Sequence, residues 1–464
     1  MADNHLPPGM AALRADLAPI VAGMARSAPY AAAWLSARQG LRITVDSREE
    51  RVAETPPVTG TVLTVYDGAT LHERSVGGFD RAAVEQAGRE LARGITVVPG
   101  PPIDPGPERR GDFVTPLQIA PAALSTAEKL ERCRDLQRRL AAIDPRIVNA
   151  RANYLEMSEY AVFGNRAADL AQHVQRVRMF VLVAVEGPDG VRYNWSTKSA
   201  TGGWEALTYS DEEVATVVGN ALALLTAERI EPGAYTVIAA PTVVGTIVHE
   251  SFGHGVETDM FLKERAKAAG YIDRVVGSPL VDIWDDPSYP GAYGSYFFDD
   301  EGMLAAPTQI VEHGIFRRGI TDLYSASMLG LPRSANGRRQ DYTRKAYARM
   351  TTTAFGRGAT PVADLFAQVE DGIYLEKWSS GMEDPKGWGI QVTCHFGHEI
   401  KHGRVTERMV APVGISGYVP DVLQSVTAVG DDWAADGGTC GKGHKESVPV
   451  SSGGPHLLLK ARLG

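Results

Sequence analysis

The sequence predicts an α+β protein: N-terminal α/β segments followed by a mostly β C-terminal domain carrying a buried helix with a metal-binding pattern. Three observations lead there. Before residue 235, helical and strand patterns alternate. The stretch 99–112 (PGPPIDPGPERRGD) is too rich in proline for a helix or a central strand. From about residue 270 the chain turns to glycine, short β-like runs and turns. The expected organisation is an N-terminal α/β segment (1–105), a Pro-rich linker (106–124), a middle α/β segment (125–235) and a C-terminal mostly β domain (236–464).

Residues 11–39 are Ala/Leu-rich and read as helical, and the β-branched runs 41–45 and 60–66 read as strands. Asp80 opens a helix with Val84, Ala87 and Leu91 on one face. Ser125 and Glu128 form a capping box, followed by a stripe of Leu130, Cys133, Leu140 and Ile143 that makes Cys133 a core thiol. Strands are expected over 150–160, 173–186 and 191–196, the last two joined by the turn Gly187-Pro188-Asp189-Gly190. A second capping box, Ser210 with Glu213, starts a helix that buries Val214, Val217, Val218, Ala221 and Leu224. Glu231-Pro232-Gly233 stops it, and 235–239 is a strand.

A chain of 464 residues implies two or three domains. Its net charge of −9 argues against nucleic acid or an anionic membrane as partner. Cys133, Cys394 and Cys440 cannot build a disulfide framework, which points to a reducing cytoplasm. The first 14 residues lack the apolar core of a secretory signal, and the longest apolar run, 179–185, falls far short of the roughly 20 residues a bilayer needs.

The chemistry gathers at His249-Glu250-Ser251-Phe252-Gly253-His254-Gly255. Val243, Val244, Ile247 and Val248 make the preceding helix apolar, so charge at its end needs compensation, and a metal supplies it. The zinc-peptidase pattern H-E-x-x-H places its ligands one α-turn apart. Here the step is five residues, which in a straight α-helix turns the two imidazoles about 140° apart. The site therefore requires an irregular helix end, and Gly253 and Gly255 would let the helix bulge or unwind there. Glu250 would then sit beside the metal as a base. A catalytic zinc commonly takes three protein ligands. Glu257 and Asp259 are local candidates for the third. His395, His398 and His402 form a second cluster. Cys440, in Gly437-Gly438-Thr439-Cys440-Gly441-Lys442, offers a thiolate that Lys442 would favour. Spacing alone does not choose between Cys440 and the histidine cluster.

The sequence resembles the metal-bearing, TldD-like members of the TldD/PmbA metallopeptidase family. The similarity runs from His249 to Asp259 (H-E-x-x-x-H-G-x-E-x-D), through Asp299-Asp300-Glu301-Gly302, Asn336-Gly337-Arg338-Arg339 and Arg349-Met350-Thr351-Thr352-Thr353. It ends at Gly438-Thr439-Cys440-Gly441-Lys442 and Ser447-Val448-Pro449-Val450. Before Pro241 the likeness is one of layout only. The resemblance implies one zinc per active subunit held by His249, His254 and Cys440, with Glu250 as general base. It also implies an enclosed site that admits flexible peptides, in a homodimer or in a heterodimer with a paralogue lacking the metal motif. The chain departs from the family pattern at Ser379-Ser380-Gly381, at Ala348, around Ile415-Ser416-Gly417 and in the histidines between His395 and His402. Those strands are where a peptide could pair, so they bear on substrate preference.

The expectation is zinc-dependent hydrolysis of peptide bonds in flexible or unfolded peptides. Two alternatives stand beside it: an amidase or peptidase maturing one peptide-derived natural product, and a non-catalytic metal-binding partner in a dimer. Arg338, Arg339 and Arg349 are candidates for oxyanion or carboxylate binding, with surface salt bridges as the competing role.

Overall fold

The computed structural model describes residues 6–443 and 446–464. Its first layer is a seven-stranded sheet. The strands run Leu71–Gly77, Glu50–Tyr66, Tyr30–Val45, Ile147–Asn165, Ala168–Gly187 and Arg109–Val114, and Gly190–Thr201 pairs with the other half of Ala168–Gly187. All pairs are antiparallel except Arg109–Val114, which runs parallel to Ala168–Gly187 at the sheet edge, just beyond the last proline of the 99–112 stretch.

The helix expected over 11–39 is shorter than its alanine content suggested. It spans Pro8–Ala25, and Tyr30–Val45 is a strand. Helix propensity loses here to position: this strand hydrogen-bonds to a neighbour on each side. Its small residues also serve packing. Ala31, Ala33 and Leu35 are buried among Leu13, Leu17 and Val21 of the helix, while Ala32 and Trp34 face the opposite layer.

The capping boxes hold. Ser125 and Ser210 each accept a hydrogen bond from the backbone N–H three residues on, and the Glu128 and Glu213 carboxylates each accept one from the serine's own N–H. Helix Thr126–Ala141 buries Lys129, Cys133, Leu136 and Leu140. Cys133 is a core thiol as expected, pushed up to about 12 by burial. Ile143 does not join the stripe: it lies past the helix end and is 44% exposed.

The chain beyond Gly233 builds two further β layers. Asp371–Asp384, Gly233–Ala239, Leu457–Leu463, Val413–Tyr418 and Gly389–Lys401 pair in succession, and the first and last pair with each other, closing a five-stranded barrel. A six-stranded sheet follows the order Ile315–Phe316, Thr308–Glu312, Ile283–Asp285, Thr352–Phe355, Glu446–Gly454, Ala434–Lys442, the last being an edge. Helix Pro241–Val248 lies between barrel and sheet, touching Asp371–Asp384, Glu446–Gly454 and Ala434–Lys442, with Val243, Val244, Ile247 and Val248 buried.

The N-terminal sheet is fastened to this region through polar pairs. Gln172 donates to Phe298 O (3.0 Å) and accepts from the Phe297 N–H (2.9 Å), and Arg339 reaches Glu73 (2.9 Å).

Candidate metal centre

The helix that delivers the histidines is α-helical from Pro241 to Val248 and then widens into a π turn over His249–Gly253, where the His254 N–H donates to His249 O. A π turn bonds residue i to i+5, so residues five apart share a face. This resolves the spacing problem. The H-E-x-x-x-H step is one turn of a π-helix, as H-E-x-x-H is one turn of an α-helix. The two imidazoles lie with ring centres 5.2 Å apart and planes at 87°.

The irregularity was expected from the glycines, but it begins at His249 itself. Neither Gly253 nor Gly255 has positive φ, and crowding explains both. A side chain at Gly253 would meet Met350 Cε at 2.9 Å, and one at Gly255 would meet Glu383 Oε1 at 3.0 Å.

Cys440 arrives on the edge strand Ala434–Lys442, opposite Val448. Its Sγ lies 3.0 Å from His254 Nε2, and the ligand atoms of His249, His254 and Cys440 lie within 4.8 Å of one another. Among the described residues this is the only such His/Cys/Asp/Glu cluster. Burial pushes the Cys440 thiol up, yet the adjoining imidazoles of His249 and His254 outweigh it and bring it down to about 5. His249 Nδ1 is buried with no hydrogen-bond partner, the condition in which a ring nitrogen needs some other ligand.

Lys442 does not support the thiolate in the way its sequence position suggested. Its ammonium reaches Asp259 Oδ1 (2.6 Å) and Glu257 Oε2 (2.9 Å), and so spends its charge there. Those two carboxylates are absent from the ligand cluster. Glu257 instead stands 3.5 Å from His254 Nδ1, orienting the imidazole from behind. Burial disfavours the charged Glu257, but Lys442, His254 and Arg349 hold its carboxyl down at about 2.

The three arginines are buried and not surface salt-bridge partners. Arg349, 1% exposed, donates to Cys440 O (2.7 Å) and Glu446 O (3.1 Å), so it fixes the strand that carries the thiol. Arg338 donates to Met350 O (2.7 Å), and Arg339 binds Glu73. The second histidine cluster is dispersed. His395 contacts Tyr193 O (2.7 Å), His398 lies 3.1 Å from Glu376, and His402 pairs with Glu370.

Glu250 is half-buried beside Gly381 of the barrel strand: a side chain at that glycine would come within 2.6 Å of Glu250 Cγ and 2.7 Å of its Oε1. Sequence reasoning passed over Glu383, two residues further on. Burial pushes its carboxyl up to about 8, and its Oε1 has no partner. The available signal was an acidic residue at an inward position of the strand.

A mixed barrel-and-sheet fold that brings two imidazoles and a carboxyl from one helix end to a thiol on a neighbouring strand defines a metallopeptidase-type centre. Residues 232–462 match the PmbA/TldA metallopeptidase C-terminal domain. A metalloprotease of Synechocystis is 31% identical over 372 residues, covering 77% of each chain. A zinc metalloprotease TldD homolog of Saccharolobus solfataricus is 31% identical over 229 residues, covering 49% of this chain and 51% of that one. The crystal structure of TldE from Thermococcus kodakarensis shares the fold, with a TM-score of 0.71 at 14% identity over 96% of this chain and 98% of that one. The chain belongs to the PmbA/TldD family of metallopeptidases, and its enzyme class is that of a peptide-bond hydrolase. No described helix is long and apolar enough to cross a membrane.

Proposed function

We propose that His249, His254 and Cys440 hold one zinc ion per active subunit and that Glu250 acts as general base in hydrolysis of peptide bonds. The observation that carries this reading is the convergence of three ligand atoms within 4.8 Å, two from one π turn and one from a strand 186 residues beyond His254. A tetrahedral ion with bonds near 2.0–2.3 Å spaces its ligand atoms roughly 3.5 Å apart, so the triad fits with small side-chain adjustments. The orphaned Nδ1 of His249 and the low-pKa thiol suit a soft cation, and zinc is also the metal in the name of the Saccharolobus relative.

When bound, the ion would polarise the scissile carbonyl and acidify water. Glu250 would take the water's proton and return it to the leaving nitrogen. Glu257 keeps the His254 ring in register, and Arg349 keeps Cys440 at its height on the strand. An extended peptide would add to the edge strand Ala434–Lys442 through main-chain hydrogen bonds, which suits flexible or unfolded substrates of varied sequence. Three free, buried thiols support a cytoplasmic location. The family resemblance supports a homodimer or a heterodimer with a motif-lacking paralogue, which mass analysis of the co-purified assembly would identify.

The test pairs two variants of the full chain. Glu250→Gln should retain zinc and lose activity by about 10²–10⁴-fold. Cys440→Ala should lose zinc. Wild-type rates in the first, or full zinc occupancy in the second, would refute the assignment. Maturation of a single peptide-derived product is the second reading, favoured by the Ser379-Ser380-Gly381 departure beside Glu250. Cleavage of many unrelated unfolded peptides would count against it.

A further inference from the structure

Glu383 lies at the proposed zinc site, so any role assigned to it rests on that reading. Between Ser380 and Asp384 the barrel strand pairs regularly with Gly389–Lys401, so side chains alternate faces. Gly381 and Glu383 share the inward face. Gly381 abuts Glu250, and Glu383 Oε1 packs over Gly255, the residue after His254. Met382, between them, is 66% exposed on the other side. The strand thus brings a second carboxyl to the flank of the metal centre.

This carboxyl has no ion-pair partner among the described residues. Glu257, also buried beside His254, is met by Lys442 and Arg349. For Glu383 the described residues provide no ion pair, and Oε1 is sealed from solvent without a hydrogen bond. Of the charged groups around it, the His254 imidazole draws the carboxyl down while Glu257, Glu250 and Asp384 push it up, so carboxylates outnumber the one cationic neighbour. A second metal is a poor occupant, because His249, His254 and Cys440 form the only ligand cluster among the described residues. A buried, unpartnered acceptor among carboxylates suits a cationic hydrogen-bond donor.

We propose that Glu383 is a specificity-determining residue that binds an ammonium group of the substrate next to the bond presented to Glu250. The ammonium is either the free amino terminus of a peptide or a lysine side chain. The first source would make the enzyme act near amino termini. The second would direct it to basic positions within a chain.

The experiment uses the full-length, zinc-loaded Glu250→Gln protein, which binds without turnover, and measures peptide affinity by calorimetry. The probes are tetra-alanine, N-acetyl-tetra-alanine and N-acetyl-Ala-Lys-Ala-Ala. At least one ammonium-bearing peptide should bind about tenfold more tightly than the acetylated alanine peptide, the scale of one charged hydrogen bond. Adding Glu383→Gln should bring that ratio close to one, with zinc content and circular dichroism unchanged. Preference for free tetra-alanine identifies the amino terminus, and preference for the acetylated lysine peptide identifies the side chain. Equal binding of all three, or a ratio that survives Glu383→Gln, overturns this proposal alone. Failure of every peptide to bind overturns both it and the proposed function.

Discussion

The N-terminal sheet and the C-terminal region bury their interiors by different means. The sheet is built from strands as long as the 20-residue Ala168–Gly187, closed over by capped helices, and its cores are almost wholly aliphatic and aromatic. Every Asp or Glu residue buried among those described lies after Pro241: Glu257, Asp259, Asp285, Asp299, Glu301, Asp322 and Glu446. There the six-stranded sheet has strands of 2 to 9 residues, and the loops are held by carboxylates. Asp285 alone accepts from Asn336 Nδ2 (2.6 Å), the Thr351 N–H (2.9 Å), Thr351 Oγ1 (2.7 Å) and Thr353 Oγ1 (2.8 Å). Both regions are stabilised by apolar area removed from water, and the second, which holds the largest apolar core, adds buried carboxylates that tolerate loss of a partner poorly.

Four perturbations probe this contrast. Chelation should act on one region only. With zinc at 1,000 times its dissociation constant, removal should cost about 4 kcal/mol of stability. Hydrogen exchange should quicken in Pro241–Val248 and Ala434–Lys442 and stay unchanged in Tyr30–Val45; equal change in all three would erase the distinction. Asp285→Ala leaves four donors unanswered and should lower stability by about 3–5 kcal/mol in denaturant melts.

Asp300 supplies a pH test. Burial pushes its carboxyl up to about 6, against the opposing pull of the Arg339 N–H and guanidinium. The folded state therefore holds this proton more tightly than the unfolded chain. That contribution is fully present below about pH 4 and is lost as pH rises through about 6, a swing of about 2–3 kcal/mol. Asp300→Asn should flatten the wild-type slope over that window. The smallest effect belongs to the sheet side: Ser210→Ala removes one half of a capping box and should cost about 1 kcal/mol.

The same contrast decides what could be read from sequence. Caps and apolar stripes are local, so Ser125, Ser210 and the Val214–Val218 face stood out. Of the strand Tyr30–Val45 only 41–45 did, because the alanines of its first half, chosen to fit under a helix, look like helix formers until their two neighbouring strands are known. At the centre, His249, Glu250 and His254 were visible, and their five-residue step demanded an irregular turn. That the step equals one π turn required the backbone itself. Cys440 could be chosen only through family resemblance, since no local pattern links it to a helix 186 residues away. Glu383 went unnoticed because a lone acid in a strand carries no mark of the missing counterion.

The edge strand that carries Cys440 also sets a clock on biosynthesis. His249 and His254 leave the ribosome 186 or more residues before the thiol. At roughly 5–20 residues per second, that is a delay of about 10–40 s. The strand is then anchored by Glu446–Gly454, which emerges later still. During that interval the growing chain holds two histidines and a glutamate but no thiolate to complete the proposed triad. The proposed metal site is thus assembled only once Cys440 has been translated, long after the turn that supplies its two histidines.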